Sequence, residues 1–280
     1  AQDHSWITRL ERFAARGQDR FAKTEWRNSC SSSSDDYPSA DLAGASHKLK
    51  VQVAAMFFSH IYFLFVLPPF LLGLYAQWKV KSTFAEMSEI PTGISGAEAA
   101  RRMLDNAGMQ SVGIEHIGGH LSDHYDPRAK VLRLSDDVYN GRSMAAVGVA
   151  CHEAGHAFQD AQAYAPLAIR NFAVPLAGFG SNIGVGLLVL GAFMNFAPLM
   201  LIGVILFAGV VFFQVVNLPV EFDASKRARQ ELVAQGMIAG NEEQYVAKVL
   251  NAAALTYVAA TLQAIMTLLY YLYILFGDRR

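Results

Sequence analysis

Long apolar runs alternate with polar segments along this chain, and the runs are long enough to cross a membrane. No charged side chain and no histidine occurs between Arg170 and Glu221. A second such stretch extends from Val249 to Gly277, and a third, from Val51 to Trp78, is interrupted only by His60. A helix that spans a bilayer needs roughly 20 mostly apolar residues. The central run therefore predicts two spans and each flanking run predicts one, which makes about four transmembrane helices.

The boundaries of these runs predict a mainly α-helical integral membrane protein in which polar regions separate the spans. The central run is expected to form a tight hairpin that turns near Asn195 and Pro198. The composition of the serine-rich stretch 29–40 predicts that the N-terminal region is partly disordered. The predicted segments are a polar extension at 1–52, a transmembrane helix at 53–78, a polar region at 79–170, a transmembrane hairpin at 171–217, a polar helical segment at 218–250 and a transmembrane helix at 251–277.

The polar region between the first two spans carries signals for a short helix and a small β-hairpin. Ser95 and Glu98 have the spacing of a capping box, and Gly108 follows at the position of a C-terminal glycine. These three residues predict a short amphipathic helix. Residues 114–135 then predict a pair of strands that turns at the segment Asp126-Pro127-Arg128.

The composition and net charge of the chain indicate which kinds of partner molecule it can bind. Of the 280 residues, 53% are hydrophobic and 17% are charged, and the net charge is -1. A chain without an excess of positive charge lacks the electrostatic footprint of a nucleic-acid-binding protein, so we expect a lipid bilayer as partner and no nucleic acid. Cys30 and Cys151 do not have the spacing of a disulfide framework or of a cysteine-ligated zinc site.

One short motif carries the candidate chemistry. In ACHEAGHAFQDA, residues 150–161, His152 and His156 lie four apart on a predicted alanine-rich helix, so both can bind one metal ion from the same face. Glu153 lies next to the first histidine, where it can hold the water that a metal activates. This His-Glu-x-x-His pattern predicts one Zn²⁺ per chain, with Glu153 as general base and then general acid. The small Gly155 and its alanine neighbour are expected to leave room above the metal.

A catalytic zinc usually takes three protein ligands, so a third ligand is expected elsewhere in the chain. Glu221 is the best candidate because it is the first charged residue after the central apolar run. Asp223 is the alternative carboxylate, although helical geometry turns it away from the face that carries Glu221. The central run crosses the membrane twice, and two crossings return the chain to the side that it left. The topology therefore predicts His152, His156 and Glu221 on one membrane face.

Two long stretches resemble a known family, the bacterial membrane zinc metallopeptidases of the neutral, gluzincin-like type. They are LSDHYDPRAKVLRLSDDVYNGRSMAAVGVACHEAGHAFQDAQAYAPLAIRN and NLPVEFDASKRA, and the similarity extends from about Met56 to the C-terminus. The resemblance implies a membrane-embedded zinc peptidase with His152, His156 and a downstream glutamate as ligands and Glu153 as catalyst. The two polar segments would then form a zincin-like catalytic unit anchored by four helices.

The chain departs from related patterns at two places. A more distant similarity is to heat-shock and prenyl-protein membrane metallopeptidases, whose third ligand lies in a Glu-x-x-x-Asp pattern. Ser225 stands at the last position of that pattern here, so the supporting carboxylate expected there is missing. Residues 1–55 have no counterpart in the family, and we interpret Met56 as a candidate ancestral start.

The residues before the motif helix are candidates for binding the substrate. In zinc peptidases the edge strand before this helix pairs with an extended substrate, and a nearby histidine or tyrosine can stabilise the oxyanion. His124 and Tyr125 are the candidates for that role here. Stabilisation of the turn by Asp123 and Asp126 is the alternative interpretation of this stretch. The expected substrates are peptides, or unfolded or membrane proteins that reach the site at the lipid boundary.

The basic residues near the ends of the spans predict the orientation of the active site. More of them lie on the catalytic side, which predicts a cytoplasmic active site in the inner membrane of a bacterial cell. The catalytic side carries Lys79, Lys81, Arg170, Lys226, Arg227 and Arg229, whereas the opposite side carries Lys48, Lys50, Arg279 and Arg280.

Two functions of other classes stay open beside the peptidase. A metal-bearing membrane scaffold without turnover would need no glutamate between its histidines, so Glu153 favours the enzyme. A small transporter would need charged or broken helices along a path through the membrane. The second to fourth predicted spans contain no charge, which disfavours that function.

Overall fold

A computed structural model describes residues 60–277, and these residues are largely helical. In this part of the chain, four helices are long and apolar enough to cross a membrane. The prediction of a mainly α-helical membrane protein with about four spans is therefore confirmed. The predicted extension 1–52, the start of the first predicted span and residues 278–280 lie outside the described residues. The four helices are His60–Ser88, Ala165–Phe193, Ala197–Ala234 and Glu243–Gly277.

The elements follow one another as long helices with a small sheet inserted after the second helix. A π-helical turn, Gly180–Gly184, joins two shorter helices into the second span. The third span packs against the second and the fourth, and the fourth span also packs against the first. The helices are α1 His60–Ser88, α2 Gly96–Asn106, α3 Asp136–Tyr139, α4 Met144–Ala161, α5 Ala165–Phe179, α6 Val185–Phe193, α7 Ala197–Ala234 and α8 Glu243–Gly277, and the strands are β1 Gly113–Ile117, β2 His124–Asp126 and β3 Val131–Ser135.

Helix α2 begins and ends at the predicted signals. The Ser95 hydroxyl accepts the amide N–H of Glu98, and the Glu98 carboxylate accepts the amide N–H of Ser95. The capping box is therefore confirmed. Gly108 follows the end of the helix with φ of 73°, a left-handed conformation that costs glycine little because it has no Cβ.

The sheet contains the predicted hairpin but is larger than predicted. Strands β2 and β3 are antiparallel, with His124 opposite Arg133 and Asp126 opposite Val131, so the chain turns where Pro127 predicts. Strand β1 pairs with the other side of β3 in parallel, which gives the order β1-β3-β2. The predicted strand pair is therefore present, and the sheet contains one strand more than the sequence predicts. Parallel neighbours are not joined by a tight turn, and no local signal in the sequence indicates their pairing.

Helix α7 runs without a break from the apolar sequence into the polar sequence. The sequence predicts a transmembrane hairpin to 217 and a polar helical segment from 218. In the structure the end of the apolar sequence and the start of the polar sequence belong to one helix, since α7 continues past Pro219 to Ala234. The polar end of α7 buries Ala224, Ala228 and Leu232 completely.

The motif helix α4 lies at the centre of the polar unit. It packs against α2, α7 and α8, and most of its side chains are buried. The core around it joins side chains from α2, β3, α4, α7 and α8, among them Leu104, Leu132, Val147, Leu232 and Val246. A second cluster, which includes Leu188, Met200, Phe207 and Tyr271, lies among the spanning helices.

Candidate metal centre

His152, His156 and Glu221 converge in the structure. One ligand atom from each residue lies within 4.8 Å of the others. Glu221 Oε2 is 3.4 Å from Nε2 of His152 and 3.7 Å from Nε2 of His156. The two imidazole rings meet edge to face, with their centroids 4.8 Å apart. The structure thus brings together the three residues that the sequence singles out, after two spanning helices separate them along the chain.

The geometry of this cluster fits a zinc ion. Ligand atoms at about 2.0–2.1 Å from zinc in a tetrahedron lie roughly 3.4 Å apart, close to the separations seen here. Glu221 Oε2 is buried and accepts no hydrogen bond, although the two imidazole Nε2 atoms are its neighbours at 3.4 and 3.7 Å. A buried carboxylate oxygen without a partner is costly, and a cation would satisfy it. Two imidazole nitrogens and one carboxylate oxygen are also a known ligand set for catalytic zinc, which leaves a fourth position for water or substrate.

Close packing of α4 on α7 brings the ligands together. A Cβ at Gly155 would lie 2.8 Å from the carbonyl oxygen of Ala224 and 3.2 Å from its Cα, so only glycine permits this approach. Gly155 precedes His156, and Ala224 lies three residues after Glu221. The expectation that Gly155 leaves room above the metal was wrong, because the backbone of α7 occupies that space.

The side chain of Gln159 orients His156. Gln159 Nε2 donates to the carbonyl oxygen of Val220 at 2.8 Å and to Asp223 Oδ2 at 2.9 Å, which uses both amide hydrogens. Its Oε1 must therefore accept, and it lies 3.0 Å from Nδ1 of His156. Nδ1 of His156 then carries the hydrogen, and Nε2 presents its lone pair to the cluster. Metal-binding histidines commonly have such a partner on the second nitrogen.

Ser225 and Asp223 support the ligands from α7. The Ser225 hydroxyl lies 3.1 Å from Nδ1 of His152, so it can accept the Nδ1 hydrogen and leave Nε2 free to bind metal. Asp223, the alternative ligand, is absent from the cluster. Its carboxylate accepts from Gln159 and, at 2.5 Å, from Nε of Arg227.

Glu153 is held by the edge of the sheet. Its side chain is 9% exposed, and its Oε2 accepts the amide N–H of Tyr125 at 3.0 Å. Its Oε1 accepts no hydrogen bond from residues 60–277. One carboxylate oxygen is therefore fixed, while the other is available to a water molecule.

The two residues predicted to steady an oxyanion occupy different surroundings. The Tyr125 hydroxyl donates to Asp160 Oδ2 at 2.7 Å, and burial together with Asp160 raises the pKa of this phenol. It therefore links the sheet to the end of α4. His124 Nδ1 lies 2.9 Å from the carbonyl oxygen of Ser122, while its Nε2 is buried without a hydrogen-bond partner.

Tyr257 on α8 lies at the site although the sequence did not point to it. The carboxylates of Glu221 and Glu153 both act electrostatically on its hydroxyl. Arg170, at the start of the second span, also acts on Tyr257 electrostatically and donates through Nε to Asn217 Oδ1 at 3.1 Å. The fourth span thus adds a phenol to the carboxylates supplied by α4 and α7.

The charge of Glu221 controls the protonation of His156. Burial lowers the pKa of His156, but the negative charge of the nearby Glu221 carboxylate raises it more, to about 9. Glu153 and Gln159 act in the same direction. A site that holds a proton this strongly is electronegative, which is the environment that a divalent cation requires.

Comparison with known proteins assigns the chain to a family. A family model described as "Putative neutral zinc metallopeptidase" matches residues 62–276, which include the whole cluster. The chain belongs to this family. One curated relative of this chain is the "Putative membrane protease YugP" of Bacillus subtilis (strain 168). The two sequences are 46% identical over 210 residues, which cover 74% of this chain and 93% of the relative. No solved structure matches the chain. The resemblance inferred from the motifs is therefore confirmed.

Proposed function

We propose that this neutral zinc metallopeptidase is a membrane-embedded endopeptidase in which His152, His156 and Glu221 bind one zinc ion. The observation that supports this proposal most strongly is the convergence of the three ligand atoms around a buried Glu221 oxygen that has no hydrogen bond. The adjacent Glu153 supplies what a purely structural zinc site does not need, a carboxylate with one free oxygen.

The roles of the side chains follow from their contacts. Zinc held by this cluster would supply Lewis-acid chemistry and lower the pKa of a coordinated water to about 7. Glu153 accepts the proton of the attacking water through Oε1, because Oε2 is held by the amide of Tyr125. The same carboxylate then returns the proton to the leaving amine.

The oxyanion of the reaction needs a hydrogen-bond donor, and we assign this role to Tyr257. The Glu221 and Glu153 carboxylates both act on its hydroxyl, and its interaction with Glu221 would be released when that carboxylate binds zinc. The Tyr125 hydroxyl is already committed to Asp160, so it is not free to donate. His124 is the second candidate, because its Nε2 is buried and unpartnered.

The fold supports substrates that approach from the membrane boundary. The polar unit joins spanning helices directly, since α7 and α8 contribute both to the site and to the spans. We therefore propose peptides, or unfolded or membrane proteins, as substrates, and a cytoplasmic active site in the inner membrane of a bacterial cell.

The decisive experiment compares the purified full chain with Glu153→Gln on an unfolded protein substrate. We expect cleavage by the original chain, loss of cleavage by the variant, and about one zinc per chain in both, because Glu153 is not a ligand. Glu115→Gln is a matched control, since Glu115 lies on exposed β1 and pairs with Arg133. Equal cleavage by both proteins would assign the activity to a contaminant. Zinc binding without cleavage by the original chain would favour the metal-bearing scaffold.

A further inference from the structure

A cavity lined by both polar and apolar side chains lies between α1 and α8, and none of its lining residues belongs to the metal site. Its volume is about 340 Å³. Since α1 and α8 pack along each other, the cavity is an opening within an extended helix contact. Its lining residues are Tyr75, Lys79, Thr83 and Glu86 from α1 and Lys248, Asn251, Ala252 and Leu255 from α8.

The cavity lies at the depth where lipid headgroups are expected. Lys79 is the first charged residue after the apolar run of α1, and Lys248 is the last one before the apolar run of α8. The rings of Tyr75 and Trp78, 5.9 Å apart, precede Lys79 and resemble the aromatic belt of a membrane interface. The two lysines therefore mark the headgroup layer on both helices.

Several hydrogen-bond donors that line this cavity have no acceptor among the described residues. Thr83 is 2% exposed, and its hydroxyl has no hydrogen-bond partner. The side chains of Lys79 and Asn251 have no hydrogen bond or ion pair with the described residues. Lys248 Nζ lies 3.7 Å from Glu86 Oε1 and 5.9 Å from the centroid of the Tyr245 ring. A buried hydroxyl without a partner is rare, and an anion between these donors would satisfy it.

We propose that this cavity binds the phosphate group of an anionic phospholipid. Lys79, Lys248 and Asn251 surround the phosphate, and the Thr83 hydroxyl donates to it from the floor of the cavity. Two lysines face a single glutamate, Glu86, so the cavity favours a lipid with net negative charge. The lining also contains apolar surface toward the spans, from Ala252 and Leu255, which suits a glycerol backbone with acyl chains better than a free phosphate ion.

The experiment measures lipid retained by the purified full chain in native mass spectrometry. Phosphatidylglycerol, phosphatidylcholine, glycerol phosphate and inorganic phosphate are supplied separately. We expect phosphatidylglycerol to be retained well above phosphatidylcholine, and neither small phosphate to replace it. In Lys79→Ala/Lys248→Ala, retention should fall about 30-fold, since each lysine near an anionic lipid contributes roughly fivefold. Lys81→Ala/Arg128→Ala removes the same charge outside the cavity and should leave retention unchanged.

Thr83→Val tests the cavity by a change that preserves shape. It should reduce phosphatidylglycerol retention about fivefold, because one hydrogen bond to the phosphate is lost. In lipid-free detergent the same variant should unfold at an equal or higher temperature, since it removes a buried unpaired hydroxyl. Unchanged lipid retention in both cavity variants, equal retention of phosphatidylcholine, or saturation by inorganic phosphate would each overturn the proposal. Absence of cleavage by the original chain in the Glu153 experiment would contradict the proposed peptidase function but not the proposed lipid site.

Discussion

Gly155 of the motif helix touches the backbone of Ala224 so closely that no side chain fits between them. The carbonyl oxygen of Ala224 would lie 2.8 Å from a Cβ at Gly155. This contact fixes the distance between α4, which carries His152 and His156, and α7, which carries Glu221. The three residues of the candidate zinc site are therefore positioned by a helix contact in which none of their own side chains takes part.

The first prediction follows from this contact. Gly155→Ala should destabilise the protein by about 1–3 kcal/mol, because the added methyl group must separate two backbones. The same displacement should weaken zinc binding. Thermal unfolding and zinc content of the purified chain measure both effects. Gly186→Ala is the matched control, since no atom lies within 4 Å of a Cβ there. Equal unfolding temperatures and equal zinc contents of the two variants would show that the Gly155–Ala224 contact does not position α7.

The second prediction distinguishes the two carboxylates on α7. Glu221→Ala should abolish stoichiometric zinc binding, because it removes a ligand atom. Asp223→Ala should weaken zinc affinity about 10–100-fold without abolishing it, since Asp223 holds Gln159 and Gln159 orients His156. Competition with a zinc chelator measures both affinities. Retention of zinc by Glu221→Ala, with loss in Asp223→Ala, would reverse the assignment.

The third prediction concerns Ser225, whose hydroxyl lies 3.1 Å from Nδ1 of His152. Ser225→Ala should lower zinc affinity about tenfold, because His152 loses the partner of Nδ1. Ser225→Asp should restore or strengthen binding, since a carboxylate accepts the Nδ1 hydrogen more strongly. The chelator competition is the measurement, with Ser181→Ala on the second span as control. Identical affinities in all these variants would show that Ser225 does not support His152.

The fourth prediction is a pH dependence of the β2–β3 hairpin. The pKa of Asp126 is lowered from 3.8 to about 2 by Arg133 and by the amides of Ala129 and Arg128. A lowered pKa means that the ionised carboxylate stabilises the folded hairpin above pH 3.8, and that this stabilisation is lost as the pH falls toward 2. Hydrogen–deuterium exchange of β2 and β3, corrected for intrinsic rates, should therefore increase across this interval. Asp126→Asn should be less protected throughout, and independent of pH there.

The convergence of the three candidate ligands could be predicted from sequence because its signals are local or topological. His152 and His156 follow helix periodicity, Glu221 is the first charged residue after the central apolar run, and two crossings place it on the same membrane face as the motif. Gln159 and Tyr257 could not be predicted in the same way. Gln159 looks like an ordinary polar residue of a helix, and only its complete burial marks it, whereas Tyr257 reaches the site through the packing of α8.

The fold shows the same division between local and non-local information. The capping box of α2 and the turn after β2 depend on neighbouring residues, so the sequence specifies them. The pairing of β1 with β3 joins residues such as Gly113 and Val131 in parallel, and no turn signal reveals it. Helix α7 likewise continues past Pro219, and Ala224 beyond that proline packs against α4. Predictions failed where contacts distant in sequence determine the structure.

The last prediction separates two donors for the oxyanion. Tyr257→Phe should lower kcat about 10²–10³-fold with little change in KM, because the lost hydrogen bond acts in the transition state. Zinc content should stay at the level of the original chain, since the phenol is not a ligand. Tyr271→Phe, on the same helix within the spanning cluster, controls for loss of a hydroxyl. If His124→Ala shows the large loss of kcat and Tyr257→Phe does not, then the donor is the buried Nε2 of His124, and the substrate carbonyl lies on the side of β2 rather than of α8.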